Sequence, residues 1–163
     1  MALSGSENSI TIAPGDFTDS RVSALLREHL AGMQGSSPAG SVYALSATAL
    51  QAPEVAFFAA WRGETLLGCG ALKHLDPYWG EIKSMRTAST YLRQGVASRL
   101  LDHLLTLAHS RGYRRVSLET GSGPAFEAAL ALYSKRGFQD GAAFGEYPST
   151  AFNRFLHLDL CGL

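Results

Sequence analysis

The sequence predicts a mixed α/β (α+β) sandwich around one central sheet, mostly antiparallel with one parallel pair, and helices on both faces. Three observations predict it. Two apolar runs flank a polar four-residue turn within residues 55–72, the pattern of a hairpin. A long amphipathic stretch, 94–111, lies between the strand patterns 81–87 and 115–119. A helix between two strands lets them pair in parallel through a right-handed crossover. Two further strand patterns, 138–144 and 151–160, close the chain as an antiparallel tail.

Each element has a local reason. Ile10-Thr11-Ile12 alternates before Pro14-Gly15, which gives a short first strand. Asp19 or Ser20 caps a helix to about Leu30, with Val22, Leu25, Leu26 and His29 on one face. Residues 32–41 are rich in Gly, Ser and Pro and read as a loop within the domain. Ser46 suits the cap of a brief helical turn before Pro53. In the hairpin, Arg62-Gly63-Glu64-Thr65 is the turn, and residues 74–80 connect it to the third strand. The long helix carries Val96, Leu100, Leu101, Leu104, Leu105 and Ala108 in one stripe, and Gly112 stops it. Pro124 suits the first turn of a last helix that runs to Arg136 and stops at Gly137. No internal repeats interrupt the order.

Composition bounds the class. The chain has 163 residues, 46% apolar and 17% charged, enough for one domain, 1–163, with its own core. Residues 1–9 are small and polar and are expected to be a flexible segment. A net charge of zero gives no broad basic surface for nucleic acid. No run reaches the ~20 apolar residues that cross a bilayer, and the amino end has no signal-peptide pattern. A soluble, cytoplasmic protein with no membrane partner is expected. Cys69 sits in an apolar run as a core residue, far in sequence from Cys161, and no disulfide is expected. The histidines and cysteines show no metal-ligand spacing, so the expected metal site is none.

The segment between the third strand and the long helix is the most informative. It reads Tyr91-Leu92-Arg93-Gln94-Gly95-Val96-Ala97-Ser98. The first amides of a helix lack intrahelical partners and the dipole favours negative charge there, so such a turn can hold a diphosphate. Gly95 and Ala97 let an anion approach the main chain, beside the amide of Val96. Arg93 and Gln94 offer side-chain contacts, and Ser98 a hydroxyl. A tight turn with close packing would select the same small residues. The P-loop ending and the dinucleotide G-x-G-x-x-G spacing are both missing.

Lys83-Ser84-Met85-Arg86-Thr87, then Leu92-Arg93-Gln94-Gly95-Val96-Ala97, then Ala131-Leu132-Tyr133 with Gly137-Phe138, resembles the GCN5-related N-acetyltransferase (GNAT) family. The resemblance covers roughly residues 55–160. It implies the GNAT-like acyl-CoA N-acyltransferase fold, with the parallel pair splayed. It also implies acetyl-CoA as co-substrate and direct acetyl transfer to an amine of a small molecule or peptide. Main-chain groups of Met85, Arg86 and Thr87 would bind the pantetheine arm, as a strand edge binds a peptide. The turn from Arg93 to Ser98 would take the pyrophosphate. Tyr133 matches the general acid toward the departing thiolate, although its helix face, shared with Phe126, Ala129 and Leu130, equally suits a core tyrosine. Glu81 matches a catalytic glutamate that would deprotonate the incoming ammonium, and Glu119 is the competing base or ammonium anchor. His74 and His103, the latter on the polar face of the long helix, are weaker candidates.

Two positions depart from the family pattern. Leu92 stands where Gln or Arg is frequent, and Phe126 stands at a cofactor-binding position often held by Asn. Ser122 or Thr120 are the candidate replacements. Trp61, Tyr78, Trp79, Phe144 and Tyr147 are candidates for an aromatic acceptor wall. The edge of the last strands suits a homodimer. Rival readings are another acyl-CoA donor, a non-amine acceptor, and a non-catalytic CoA-binding module. A nucleophilic Cys69–His74 pair has no orienting partner.

Overall fold

The structure, a computed structural model, describes residues 9–36 and 47–160. The amino-terminal residues 1–8, the end of the 32–41 loop, the Ser46 cap and Cys161 lie outside the described residues. The elements in order are β1 (Thr11–Pro14), α1 (Ser20–Ser36), α2 (Ala47–Leu50), β2 (Val55–Arg62), β3 (Thr65–Asp76), β4 (Trp79–Thr87), α3 (Val96–Ser110), β5 (Arg115–Thr120), α4 (Glu127–Lys135), β6 (Gln139–Asp140) and β7 (Arg154–Asp159). Short 3-10 turns, Ser89–Tyr91 and Pro124–Phe126, precede α3 and α4. The sheet order is β1-β2-β3-β4-β5-β7-β6. Every neighbouring pair is antiparallel except β4 and β5. The mixed sheet with one parallel pair is the architecture that the helix between two strands predicted.

Alternation sorts the core onto two faces. Leu72, Ile82, Val116, Leu118 and Leu156 turn toward α3 and α4, where they bury Leu101, Leu104, Ala108 and Tyr133. Cys69 and Ala71 point the other way, with Phe57, beneath Val22, Leu25 and Leu26 of α1 and Leu50 of α2. Arg136, at the carboxyl cap of α4, donates from Nε and Nη2 to Asp102 of α3, at 2.8 and 3.1 Å, and ties the two helices together. Among the described residues no helix is long and apolar enough to cross a membrane.

The sequence-based boundaries need three corrections. α1 continues past Leu30 to Ser36, through glycines that the composition assigned to a loop. Gly32 costs helix propensity of about 1 kcal/mol but clears room for a guanidinium, because a Cβ there would lie 3.0 Å from Nη1 of Arg86. β3 and β4 run on through most of residues 74–80. The Asp76 carboxylate accepts from the amide of Tyr78 at 2.7 Å, so two residues suffice for the turn. The tail strands are shorter than 138–144 and 151–160, since β6 holds only Gln139–Asp140 and β7 only Arg154–Asp159. After Gly141, whose amide still donates to the Phe155 carbonyl at 3.0 Å, the chain leaves the ladder, and the Ala142 carbonyl accepts from His157 Nε2 at 2.8 Å.

Candidate active site

β4 and β5 pair at Trp79–Arg115, Gly80–Val116 and Glu81–Ser117 and nowhere beyond, although both strands continue. The cause lies in β4. Ala71 pairs with Lys83 and Cys69 with Arg86, so two steps along β3 match three along β4. The extra residue is accommodated at Ser84, which holds φ +56, a left-handed conformation costing about 1–2 kcal/mol in a residue with a Cβ. The Cys69 thiol donates to the Ser84 carbonyl at 3.3 Å across the bulge. β4 therefore peels away from β5 and leaves the β5-facing main chain of Met85, Arg86 and Thr87 outside the parallel ladder. Met85 buries its side chain against the α3 cluster, so it can serve a ligand only through its backbone.

The turn that follows opens beside this slot. Arg93 and Gly95 have φ +63 and +83, and Gly95 is the N-cap of α3 with no side chain bonded back to the helix. Arg93, Gln94 and Gly95 are exposed, Ala97 and Ser98 half-buried. Val96 is buried, so it offers only its amide. Gln94 is turned aside, because its Oε1 accepts from Arg62 Nη1 at 3.1 Å. Leu92 is 56% exposed, an apolar side chain at the mouth of the turn. The amides at the start of α3 are not plugged by a side-chain cap, and the dipole adds positive potential there.

Tyr133 of α4 lies on the α3 face of the sheet, in the apolar cluster with Leu101 and Leu104. It is 6% exposed and meets Phe138 edge-on, ring centroids 5.6 Å apart. Its hydroxyl has no hydrogen-bond partner among the described residues. Burial alone pushes the phenol above its ordinary range, so it stays protonated. Burial and ring packing fit the core-tyrosine reading, and a phenol that keeps its proton is compatible with the proton-donor one.

The opposite face of the sheet carries a polar cluster. Glu81, 3% exposed, accepts from the Tyr147 hydroxyl at 2.5 Å and from Lys83 Nζ at 3.3 Å. Lys83 also bonds the Tyr147 hydroxyl and lies 4.9 Å over its ring. Tyr147 arrives on the segment after β6, which Asn153 braces by accepting from Thr150 N at 2.9 Å and donating to Pro148 O at 2.8 Å. Burial and the Glu81 charge hold the Tyr147 phenol above its ordinary value. Glu119, half-buried on β5, has its pKa raised by burial, against a lowering from Asn153 and Lys83. Sequence reasoning named Glu81 and Glu119 but missed Lys83 and Asn153 as site residues. The signal for Lys83 was present, since residues two apart on a strand share a face.

A third group lies between β4 and α1. Arg86 Nη2 donates to Glu28 Oε1 at 3.2 Å. Among the described residues, His29 Nδ1, Ser84 Oγ and Arg86 Nε are buried with no hydrogen-bond partner. Burial, then the Arg86 charge, lowers the His29 pKa to about 4. The unfolded chain takes a proton below about 6.5 while folded His29 resists it. The stability due to a neutral His29 is complete above that value and is lost as pH falls toward 4. Denaturant titrations from pH 7 to 4 should show a shallower loss in His29→Gln than in the parent.

Other candidates fall away from the slot. His74 bonds the Tyr113 hydroxyl at 2.5 Å. His103 is not on a free polar face, because it packs edge-on against Phe58 at 4.6 Å between ring centroids. Burial pushes the Cys69 thiol to about 12, which removes it as a thiolate nucleophile. Phe126 is buried against Phe152 and offers a ligand no polar atom. Ser122 Oγ is spent on the Phe152 carbonyl at 2.7 Å, and Thr120 is buried. Of the proposed aromatic wall, Trp79, Phe144 and Tyr147 stand together. Trp61 instead stacks under Arg21 and Tyr78 under Arg114. Among the described residues no three His, Cys, Asp or Glu side chains gather to hold a metal ion.

The comparisons with known proteins bear on the family and the fold. A model of the acetyltransferase (GNAT) family matches residues 22–138. The chain is 49% identical over 140 residues to YsnE of Bacillus subtilis (strain 168), an uncharacterized N-acetyltransferase, covering 84% of this chain and 93% of the relative. It is 48% identical over 151 residues to YedL of Escherichia coli (strain K12), also an uncharacterized N-acetyltransferase, covering 93% and 95%. A structure from Klebsiella pneumoniae subsp. pneumoniae MGH 78578, described as a candidate acyl-CoA N-acyltransferase, matches with TM-score 0.75 and 27% identity, over 93% of this chain and 97% of that one. A GNAT family acetyltransferase from Elizabethkingia anophelis, solved with acetyl-CoA bound, gives TM-score 0.66 at 19% identity over 94% and 99%, a likeness of fold alone.

Proposed function

Since the chain belongs to the GNAT acetyltransferase family, we propose that it moves an acetyl group from acetyl-CoA directly to an amine of a small molecule or peptide. The observation that carries this reading is the divergence of β4 from β5 beside the uncapped start of α3. An extended, amide-rich arm ending in a diphosphate fits such a place. The unpaired strand edge can bond the arm, and the helix amides the anion.

When bound, acetyl-CoA supplies an activated thioester carbonyl. The protein's own groups do the rest. The amides of Val96, Ala97 and Ser98 receive the diphosphate, with the exposed Arg93 adding charge. The backbone of Met85, Arg86 and Thr87 orients the arm in the slot. Tyr133, on the α3 face, donates its proton to the sulfur as the thiolate departs. Glu81, on the opposite face, takes the proton of the incoming ammonium, so only the neutral amine attacks. Tyr147 and Lys83 hold that carboxylate in place, and Glu119 faces the same cluster as the alternative proton acceptor. Placing acid and base on opposite faces lets donor and acceptor approach the slot from different sides.

The test is a panel of amines with acetyl-CoA, read as release of free thiol. Turnover of at least one amine is expected, and Glu81→Gln should lower its rate by about 10²-fold with a smaller loss in Glu119→Gln. Acetyl-CoA binding without thiol release across a broad panel would instead mark a non-catalytic CoA-binding module. The reverse order of the two variants would move the base to Glu119.

A further inference from the structure

Resting on the acetyltransferase reading, we propose that the acceptor is an amino acid-like molecule whose carboxylate is received by Arg86, Ser84 and His29. Buried polar atoms in folded proteins are paired almost without exception. Among the described residues four are not, and three of them, His29 Nδ1, Ser84 Oγ and Arg86 Nε, belong to α1 and the stretch of β4 it packs on; the fourth is Arg62 Nε on β2. His29 and Ser84 are 8% and 9% exposed, so bulk water does not serve them. A guanidinium N–H and a hydroxyl are donors, and a carboxylate is the small group that accepts from both in a planar fork.

The surroundings are shaped for the guanidinium. Gly32 leaves the space that Arg86 fills. The ion pair of Arg86 with Glu28 is a single contact at 3.2 Å, with the Glu28 side chain 39% exposed. That carboxylate can turn to water and yield its place to a ligand. Charge runs the same way along the strand. Glu81 and Glu119 face one ammonium, Lys83, near the paired end of β4, a setting for a cationic amine. Arg86 lies toward the other end, a setting for an anion. Glu81 and Arg86 are five residues apart on one strand, at most roughly 16 Å between Cα atoms. The bound sets no minimum length, so the acceptors tested span a series of amine-to-carboxylate separations.

The experiment uses matched acceptors: β-alanine, 4-aminobutyrate, 6-aminohexanoate, lysine and tryptophan, each beside its primary amide. Thiol release is measured with the full chain, its Arg86→Gln variant and its Glu28→Gln variant. In the best pair the acid should be preferred over the amide by about tenfold or more in kcat/KM, the size of one charge-assisted hydrogen bond. Arg86→Gln should bring that ratio toward one, and Glu28→Gln should raise it. Because the ratio is internal to each variant, any change in donor affinity cancels. Should Arg86→Gln not fold, Glu28→Gln alone decides by its sign. Amides equal to or better than acids in every pair would overturn the proposal, as would a ratio that neither variant moves. Calorimetry with acetyl-CoA separates the two levels. If the donor binds but no acid is turned over, the amino acid proposal fails alone; if it does not bind, the acetyltransferase reading fails first.

Discussion

Replacing Gly95 with glutamate is expected to weaken acetyl-CoA binding by at least about 10²-fold. Two costs combine. Gly95 has φ +83, where a residue with a Cβ is strained by about 1–2 kcal/mol. A Cβ at Gly95 would meet nothing within 4 Å, so the new side chain would project into the open turn. Its carboxylate would then stand where the α3 amides and dipole favour an anion, and would compete with and repel the diphosphate. Gly95→Ala separates the two effects. It keeps the strain without the charge, and should cost stability of about 1 kcal/mol with less than about tenfold loss of affinity. Isothermal calorimetry distinguishes the pair; a Gly95→Glu protein that binds acetyl-CoA like its parent would contradict the anion cradle.

Tyr133→Phe is expected to lower kcat by about 10²-fold or more, the usual contribution of a positioned proton donor, while the KM for acetyl-CoA stays near its parent value. The structure makes this a clean substitution. The ring sits in the apolar cluster with Phe138 and Leu104, and the hydroxyl bonds no described residue, so its removal leaves no partner unsatisfied. Thermal melting should therefore be unchanged within a few degrees. Equal turnover by the two proteins would reduce Tyr133 to a core residue and leave the departing thiolate to water.

Periodicity was sufficient for most of the fold. The stripe of Val96, Leu100, Leu101, Leu104 and Ala108 sets α3 against the sheet, and the strand patterns on either side of it fix the parallel pair. What escaped was governed by interactions between elements. Gly32 in the helix leaves room for a guanidinium from β4, a strand bulged at Ser84 in a way no sequence rule announces. The shortening of β6 and β7 depends on the segment after Gly141 leaving the ladder to place Tyr147 on Glu81. The candidate site was legible in proportion to how much of it is backbone. Gly95 and its neighbours mark the turn, and Tyr133 follows from its motif. Lys83, Asn153 and His29, whose Nδ1 has no partner among the described residues, acquire meaning only when distant strands and loops meet.

The account depends most on the amides at the start of α3 and along the free edge of β4 being the donor's binding surface. Titration of the 15N-labelled protein with acetyl-CoA, followed by backbone amide chemical shifts, tests this directly. The largest saturable shifts are expected at Val96, Ala97 and Ser98 and at Met85 to Thr87, with little change along β1 and β2. Shifts confined to other surfaces, or none at millimolar acetyl-CoA, would contradict it.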